Sequence, residues 1–429
     1  MDSLLYWVWL SLSCTPGYTT FDKLIAEFDS PERIFSATDA EIASCIGDRV
    51  RDYTILVRRD LEGAKEVLDF CTRHKVGILT YSDPAFPESL RGIVGSPVLL
   101  YYRGQLPRFS EICPIAVVGS RKMSPYGQKS AFTIAADLAR AGATVVSGMA
   151  KGIDAMAMAG ALSEQGRVIA FLGSGIDVCY PEEHLTLARE TVKAGCIMTE
   201  YAPGTPPDRY NFPKRNRLIS GLSAATLVIE GKEQSGAMIT ARHAMAQNRP
   251  VYALPGNVDS PGSAAAHLLL RSGAKLLTSA DDVVRDLEDS YLGILNPFAM
   301  AASEVAEMEP VLRRLSLAGS AEKEKGKEKG FFASRIFKKN PPAKSEKEPR
   351  DEEFPIEADE SKTEALLSSM DPEARMVFDA IPKSGSCALE SLCNDALPLR
   401  TVMKYLLKLE IKGLVTMLPG ERVQRAEHV

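Results

Sequence analysis

Histidine is scarce in this sequence, with five in 429 residues, and none falls in an H-E-x-x-H. Two imidazoles one helical turn apart are what a zincin-type hydrolase needs, so that class is excluded. The eight cysteines, at 14, 45, 71, 113, 179, 196, 387 and 393, form no C-x-x-C. Zinc knuckles and thioredoxin-like pairs drop out with it. Scattered thiols of this kind read as reduced, cytosolic side chains. No metal or cofactor is expected. A P-loop, G-x-x-x-x-G-K-[ST], is missing, and with it the usual phosphate cradle of an ATPase. No apolar run reaches the roughly 18 residues of a membrane span. The opening MDSLLYWVWLSLSC carries Asp2 instead of a basic n-region and has no A-x-A site. It reads as a buried first helix and not as a signal peptide. Positive charge is not in excess either: Lys plus Arg is 51 against 56 Asp plus Glu, a net charge of −5. A wholly basic nucleic-acid binder is thereby excluded, but a local basic groove is not, because binding follows the local field. A soluble cytoplasmic protein is expected.

The chain is long enough for two or three domains. Residues 1–75 read as short helices: CTPGYTTFDKLIAEF with Leu24, Ile25 and Phe28 on one face, then ATDAEIASCIGDRVRDYTI with Thr38 as a cap and Gly47 as a break. The repeat has the outline of helix-hairpin-helix (SAM-like) units, and equally of a small helical packing domain. Residues 76–111 connect. From 112 to 290, β-branched runs alternate with helical periods: IAVVG, TVVSG, VIAFLG, CIMTE, TLVIE and PVYALPG. Strand-helix alternation of this length predicts an α/β fold with a doubly wound, mostly parallel sheet. Residues 291–360 lose periodicity, and AEKEKGKEKG and NPPAKSEKEPRDEE read as a charged flexible linker, interrupted by FFASRIFKK. Residues 361–429 fold again, three helices and a hairpin in winged-helix outline. With nine basic and nine acidic residues between Lys362 and Glu427, that module is a poor autonomous DNA binder.

In an open parallel sheet, ligands bind beyond the carboxyl ends of the strands. Small residues stand at those ends: Gly119-Ser120-Arg121, Ser147-Gly148, Gly173-Ser174-Gly175, Ser235-Gly236 and Gly256-Asn257. Backbone approach at glycine and unpaired N–H groups at helix starts make such an edge an anion site. The first loop is not G-x-G-x-x-G, and Ser147-Gly148 replaces the acid that would hold a ribose, so NAD is disfavoured. The basic run NFPKRNRLISGL adds Lys214, Arg215 and Arg217 with Phe212 beside them, in what reads as a loop before a helix. Guanidinium for phosphate and ring for base is the chemistry of single-strand binding. A nucleotide or sugar phosphate, or a plain solvated surface, would also account for these residues. Asp154 at a helix start reads as an acid that favours the helix dipole, and Glu200 and Glu230 at strand ends are carboxylates that either position the basic side chains or serve hydrolysis.

Taken together, VVGSRKMSPYG, VVSGMAKGIDAMAMAGAL, FLGSGIDVCYP, TEYAPGTPP, FPKRNRLISGLSAATLVIEG, SGAMITARHAM and RPVYALPGN resemble the DprA/Smf family of DNA-processing proteins, across Ile115 to Ala274. The resemblance implies an extended Rossmann-like fold that binds single-stranded DNA in natural transformation. It implies protection of incoming strands, loading of the RecA recombinase, a homodimer through the Rossmann-like domain, and no catalysis. By motif it assigns DNA contacts to Ser120 and Arg121, to Ser147 and Gly148, to Phe212, Lys214, Arg215, Asn216 and Arg217, and to Ser235 and Gly236. Three positions depart: Met158 stands where the family has His, and Ala265 and His267 replace Gly and Asn. Two other readings stay open. One is a phosphoribohydrolase-like enzyme using Glu200 or Glu230, although its P-G-G-x-G-T-x-x-E element is missing. The other is an adaptor acting through the C-terminal domain.

Overall fold

The computed structural model describes residues 2–47, 50–301 and 307–317, and beyond them 372–382, 386–392, 415–418 and 422–425 with positions 402, 405, 406 and 409. They belong to two compact units, one within Met1–Pro341 and one within Pro342–Val429. The charged linker from 318 on, FFASRIFKK and the stretch 393–401 lie outside the described residues.

The first unit is built on a nine-stranded sheet: β1 (Gly77–Thr80), β2 (Leu99–Gly104), β3 (Cys113–Val118), β4 (Ala143–Ser147), β5 (Val168–Phe171), β6 (Cys196–Thr199), β7 (Ala225–Val228), β8 (Val251–Ala253) and β9 (Lys275–Leu276). Their order is β1-β2-β6-β5-β4-β3-β7-β8-β9. From β6 through β9 all pairs are parallel, whereas β2 runs antiparallel to β6 and β1 antiparallel to β2. Six strands coincide with the β-branched runs of the sequence. Residues 76–111 are more than a connection, because they supply β1 and β2. The chain starts the parallel part at β3, moves out to β6, and returns to the other side of β3 for β7. The order therefore reverses beside β3, the switch point at whose carboxyl edge an open α/β sheet forms its ligand crevice.

Alternation along each strand buries both faces. Ile115 and Val117 of β3 point into one core and Ala116 and Val118 into the other. The first core is closed by α1 (Asp2–Ser13), α2 (Thr20–Phe28), α3 (Pro31–Ser36), α4 (Asp39–Ile46), α5 (Val50–Leu56) and α6 (Glu62–Arg73), together with α8 (Pro125–Arg140), α9 (Ile153–Ser163) and α10 (Leu185–Ala194). The second is closed by α7 (Glu88–Arg91), α11 (Asn211–Leu222), α12 (Gly236–Ala246) and α13 (Ala264–Arg271). Trp7 and Trp9 of α1 share a core with the sheet, so the N-terminal helices are part of this unit and not a module on a tether. Thr38 caps α4 in a full capping box and Gly47 ends it at φ 64°.

The two helices α8 and α9 approach closely at Gly160, where an added Cβ would lie 2.1 Å from the carbonyl oxygen of Phe132. Backbone cannot yield as a side chain does. Gly160→Ala should therefore destabilise the first unit by about 1–3 kcal/mol, read as a lower urea midpoint.

Residues expected to open the flexible linker at 291 instead fold back. After α14 (Asp281–Leu287), Leu295 is buried and Asn296 N–H donates to Ala141 O at 2.9 Å. Then α15 (Met308–Arg314) packs on α9 through buried Leu312, with Leu315 buried behind it. In the second unit, α16 (Pro372–Ala380) precedes an antiparallel sheet of β10 (Ser386–Ala388), β11 (Val415–Leu418) and β12 (Arg422–Arg425), ordered β10-β12-β11. Val377, Phe378, Val402, Leu406 and Val423 form its core.

Candidate nucleic-acid interface

The loop after β3 is a tight structure at the crevice. Gly119 has no room for a side chain, since a Cβ would lie 2.6 Å from the Ile153 side chain. Gly152, at φ 80°, brings α9 in so that Ile153 N–H donates to Ser120 O at 3.1 Å. The Ser120 hydroxyl donates to Lys122 O at 2.7 Å and closes the turn. Arg121 and Lys122 are thereby turned outward and are exposed.

The basic run does not form a loop ahead of a helix. It is the first half of α11, with Pro213 in the first turn, where a missing N–H costs nothing. Helical spacing then separates its cations. Arg215 and Arg217 are each only 3% exposed, and both guanidinium groups end on protein. Arg215 donates to Gly148 O at 2.8 Å, to Phe171 O, and through Nε to Asn216 Oδ1 at 3.3 Å. Burial pulls its pKa down to about 10, which still leaves it charged at neutral pH. Its electrostatic counterpart is Asp154, a buried carboxyl that accepts from Gly148 N–H at 3.1 Å and Ala150 N–H at 3.4 Å. Burial pushes Asp154 up, and Arg215 and the two N–H groups oppose that shift. Arg217 grips Glu200 with two bonds, 2.9 and 2.7 Å, and donates to Gly95 O at 3.0 Å. Glu230 accepts from the Ser124 N–H at 2.9 Å and from its hydroxyl.

The other predicted residues divide in the same way. Ser147 is fully buried and its hydroxyl donates to Val117 O at 2.8 Å, a clamp between β4 and β3. Gly148 is buried beneath Arg215, whose guanidinium nitrogen would lie 2.7 Å from an added Cβ. Asn216 donates to Gly236 O at 3.2 Å and ties α11 to the start of α12, which Ser235 caps by accepting Met238 N–H at 3.4 Å. Lys214 is half-buried with its ammonium 4.9 Å from the Tyr18 ring.

At the open side of the crevice stands a cluster of rings and cations. The Phe212 ring packs over Gly173, where a Cβ would meet its Cδ1 at 2.7 Å. The Arg121 guanidinium lies 5.4 Å from the Phe212 centroid and that of Arg215 lies 5.9 Å away. Tyr180 adds a second ring, 5.4 Å from Phe212 and inclined at 36°. Neither Tyr180 nor Lys122 is among the residues that the motifs assign to DNA contacts. The strand-end rule stopped at Gly173-Ser174-Gly175, and only the return of that loop carries Tyr180 back to the crevice.

The family model described as DNA recombination-mediator protein A matches residues 77–288, from β1 to just past α14. The DNA processing protein DprA of Bacillus subtilis is 34% identical over 223 residues, 52% of this chain and 75% of the relative. That of Streptococcus pneumoniae is 40% identical over 206 residues, 48% and 72%. The chain belongs to the DprA/Smf family. The X-ray structure of the Streptococcus pneumoniae DprA superposes with a TM-score of 0.58 at 32% identity, covering 65% of this chain and 95% of that one. The DprA/Smf match thus takes in the whole crevice. Of the three positions where this chain departs from the family pattern, Met158 is fully buried in α9, whereas Ala265, whose N–H donates to Gly231 O at 3.0 Å, and His267, whose Nε2 lies 3.1 Å from Gly256 O, sit against the loops that follow β7 and β8. No described helix is long and apolar enough to cross a membrane.

Proposed function

We propose that this chain binds single-stranded DNA along the carboxyl edge of its extended Rossmann-like sheet, without catalysis, and passes the strand to a RecA-type recombinase in DNA processing. The observation that carries this reading is the Arg121, Phe212 and Tyr180 cluster: a cation and two rings at the mouth of glycine-lined loops. Phosphates go to exposed Arg121 and Lys122 and to Lys214, with the Ser120 turn and the α12 start at Ser235 and Gly236 beside the path. A base goes to the aromatic cluster. Arg215, Arg217, Asn216, Ser147 and Gly148 form the floor that holds these groups in place. The family description as a recombination mediator supports a recombinase partner, and the resemblance supports a homodimer through the Rossmann-like domain.

The hydrolase reading has less support. Glu200 and Glu230, the carboxylates it needs, are engaged by Arg217 and Ser124. The second unit, a helix followed by a small antiparallel sheet, fits a winged helix with balanced charge. We assign it to protein contacts, because a neutral surface gains little from counterion release.

Fluorescence anisotropy with single- and double-stranded oligonucleotides across a salt series tests the proposal. Three neutralised phosphates predict a slope of log affinity against log salt of roughly −2, and weaker binding to duplex. A slope near zero, or a preference for duplex, overturns it.

A further inference from the structure

We infer that Tyr180, and not Phe212, is the ring on which a DNA base stacks, with Phe212 as its fixed backing. The inference rests on the single-strand reading above and deepens it. Phe212 is half-buried and already covered: Gly173 lies against it, and Tyr180 and two guanidinium groups crowd it. Tyr180 is 38% exposed, more than Phe212 in the same cluster. A base needs an accessible aromatic ring in reach of a phosphate-binding cation, and Tyr180 packs on the same Phe212 ring that the Arg121 guanidinium faces.

Tyr180 is also held ready. Upstream, the Ser174 hydroxyl donates to Val178 O at 3.1 Å. That loop is clipped to the next one through Gly204 N–H and Asp177 Oδ1 at 2.8 Å. Downstream, buried His184 holds Met149 O through Nδ1 at 2.9 Å. A ring fixed between two anchored points loses little freedom on binding, which is what favours affinity per contact. The rim ring is therefore a binding residue in its own right, and its role is separable from that of the cations.

The experiment is an affinity cycle on the full chain. Wild type, Tyr180→Ala, Tyr180→Leu and Tyr180→Phe are titrated against a labelled oligothymidylate and against the same strand carrying abasic sites. Thermal melts check the fold of each variant. Loss of one stacked base predicts that Tyr180→Ala and Tyr180→Leu weaken oligothymidylate binding by about five- to a hundredfold. Tyr180→Phe should match wild type, and all four should bind the abasic strand alike. Unchanged oligothymidylate affinity in a folded Tyr180→Ala or Tyr180→Leu, while wild type binds well, overturns the assignment of Tyr180 alone. An equal loss on the abasic strand also overturns it, since stacking is then not what was removed. If wild type binds neither strand, the single-strand reading falls and takes this inference with it.

Discussion

Glu200→Ala should cost the first unit on the order of 3–5 kcal/mol, the largest effect on stability of any single side chain at the crevice. Glu200 and Arg217 have side chains only 4% exposed, and the pair is closed by two hydrogen bonds. Truncating the acid leaves a buried guanidinium without its bidentate carboxylate, with Asp22 as the more distant opposite charge. Two comparisons identify the cause. Glu200→Gln keeps an acceptor but loses the charge, so it should fall between wild type and alanine. Replacing both partners, Glu200→Leu with Arg217→Met, should cost less than either truncation alone, because a well-packed apolar pair carries no desolvation penalty. Urea unfolding followed by tryptophan emission gives the reading. Both tryptophans, Trp7 and Trp9, lie in α1 and report on the first unit only. A Glu200→Ala midpoint within error of wild type would show that water reaches the pair. The loss should also reach DNA binding, since α11 carries Phe212 and Lys214 one turn before Arg217.

The same pair shows where sequence reading stops. The parallel strands were legible because they are buried on both faces and read as short apolar runs. VVGS, VVSG and AFLG each end in small residues, so the carboxyl edge was legible as well. The strands β1 and β2 were not. LLYYRG mixes Arg103 and Gly104 with its apolar residues, since β2 pairs antiparallel at the outer side of β6 and lacks the continuous pattern. The return of residues 291–301 and 307–317 rests on Leu295, Leu312 and Leu315 finding one core, and apolar residues spaced so far apart carry no period. For the site, composition placed the cations and topology decided which way they face. Arg121 and Arg217 look equivalent in sequence. Arg217 faces inward because it pairs with Glu200, the residue just past β6, a pairing 17 residues apart that no local pattern shows. Truncating Arg121 and Arg217 together, a natural choice from sequence, would therefore confound lost binding with lost folding.

Arg121→Ala and Arg215→Ala make the cleaner contrast. Both guanidinium groups lie within 6 Å of the Phe212 ring, at 5.4 and 5.9 Å, yet they should fail in opposite ways. Arg121 is exposed, on a turn whose hydrogen bonds are made by Ser120 and Lys122. Its removal should leave the melting temperature unchanged. Affinity for single strands should drop about tenfold at low salt, and the salt slope should lose roughly 0.7, the share of one phosphate. The double variant Arg121→Ala with Lys214→Ala should lose most binding. Arg215 is buried, and its removal strands Asp154 and leaves Gly148 O and Phe171 O without their donor. That should cost about 3 kcal/mol or more, with Asp154 taking up a proton as its pKa rises further. The stability of Arg215→Ala should then improve as pH falls toward 5, because the protonated acid no longer needs a counter-charge. Wild type, with the cation in place, should show less of that gain. Melts of the two variants at pH 5 and pH 8, beside anisotropy titrations at pH 7, separate the cases. A folded, stable Arg215→Ala that has lost DNA binding would return Arg215 from the floor of the crevice to its surface.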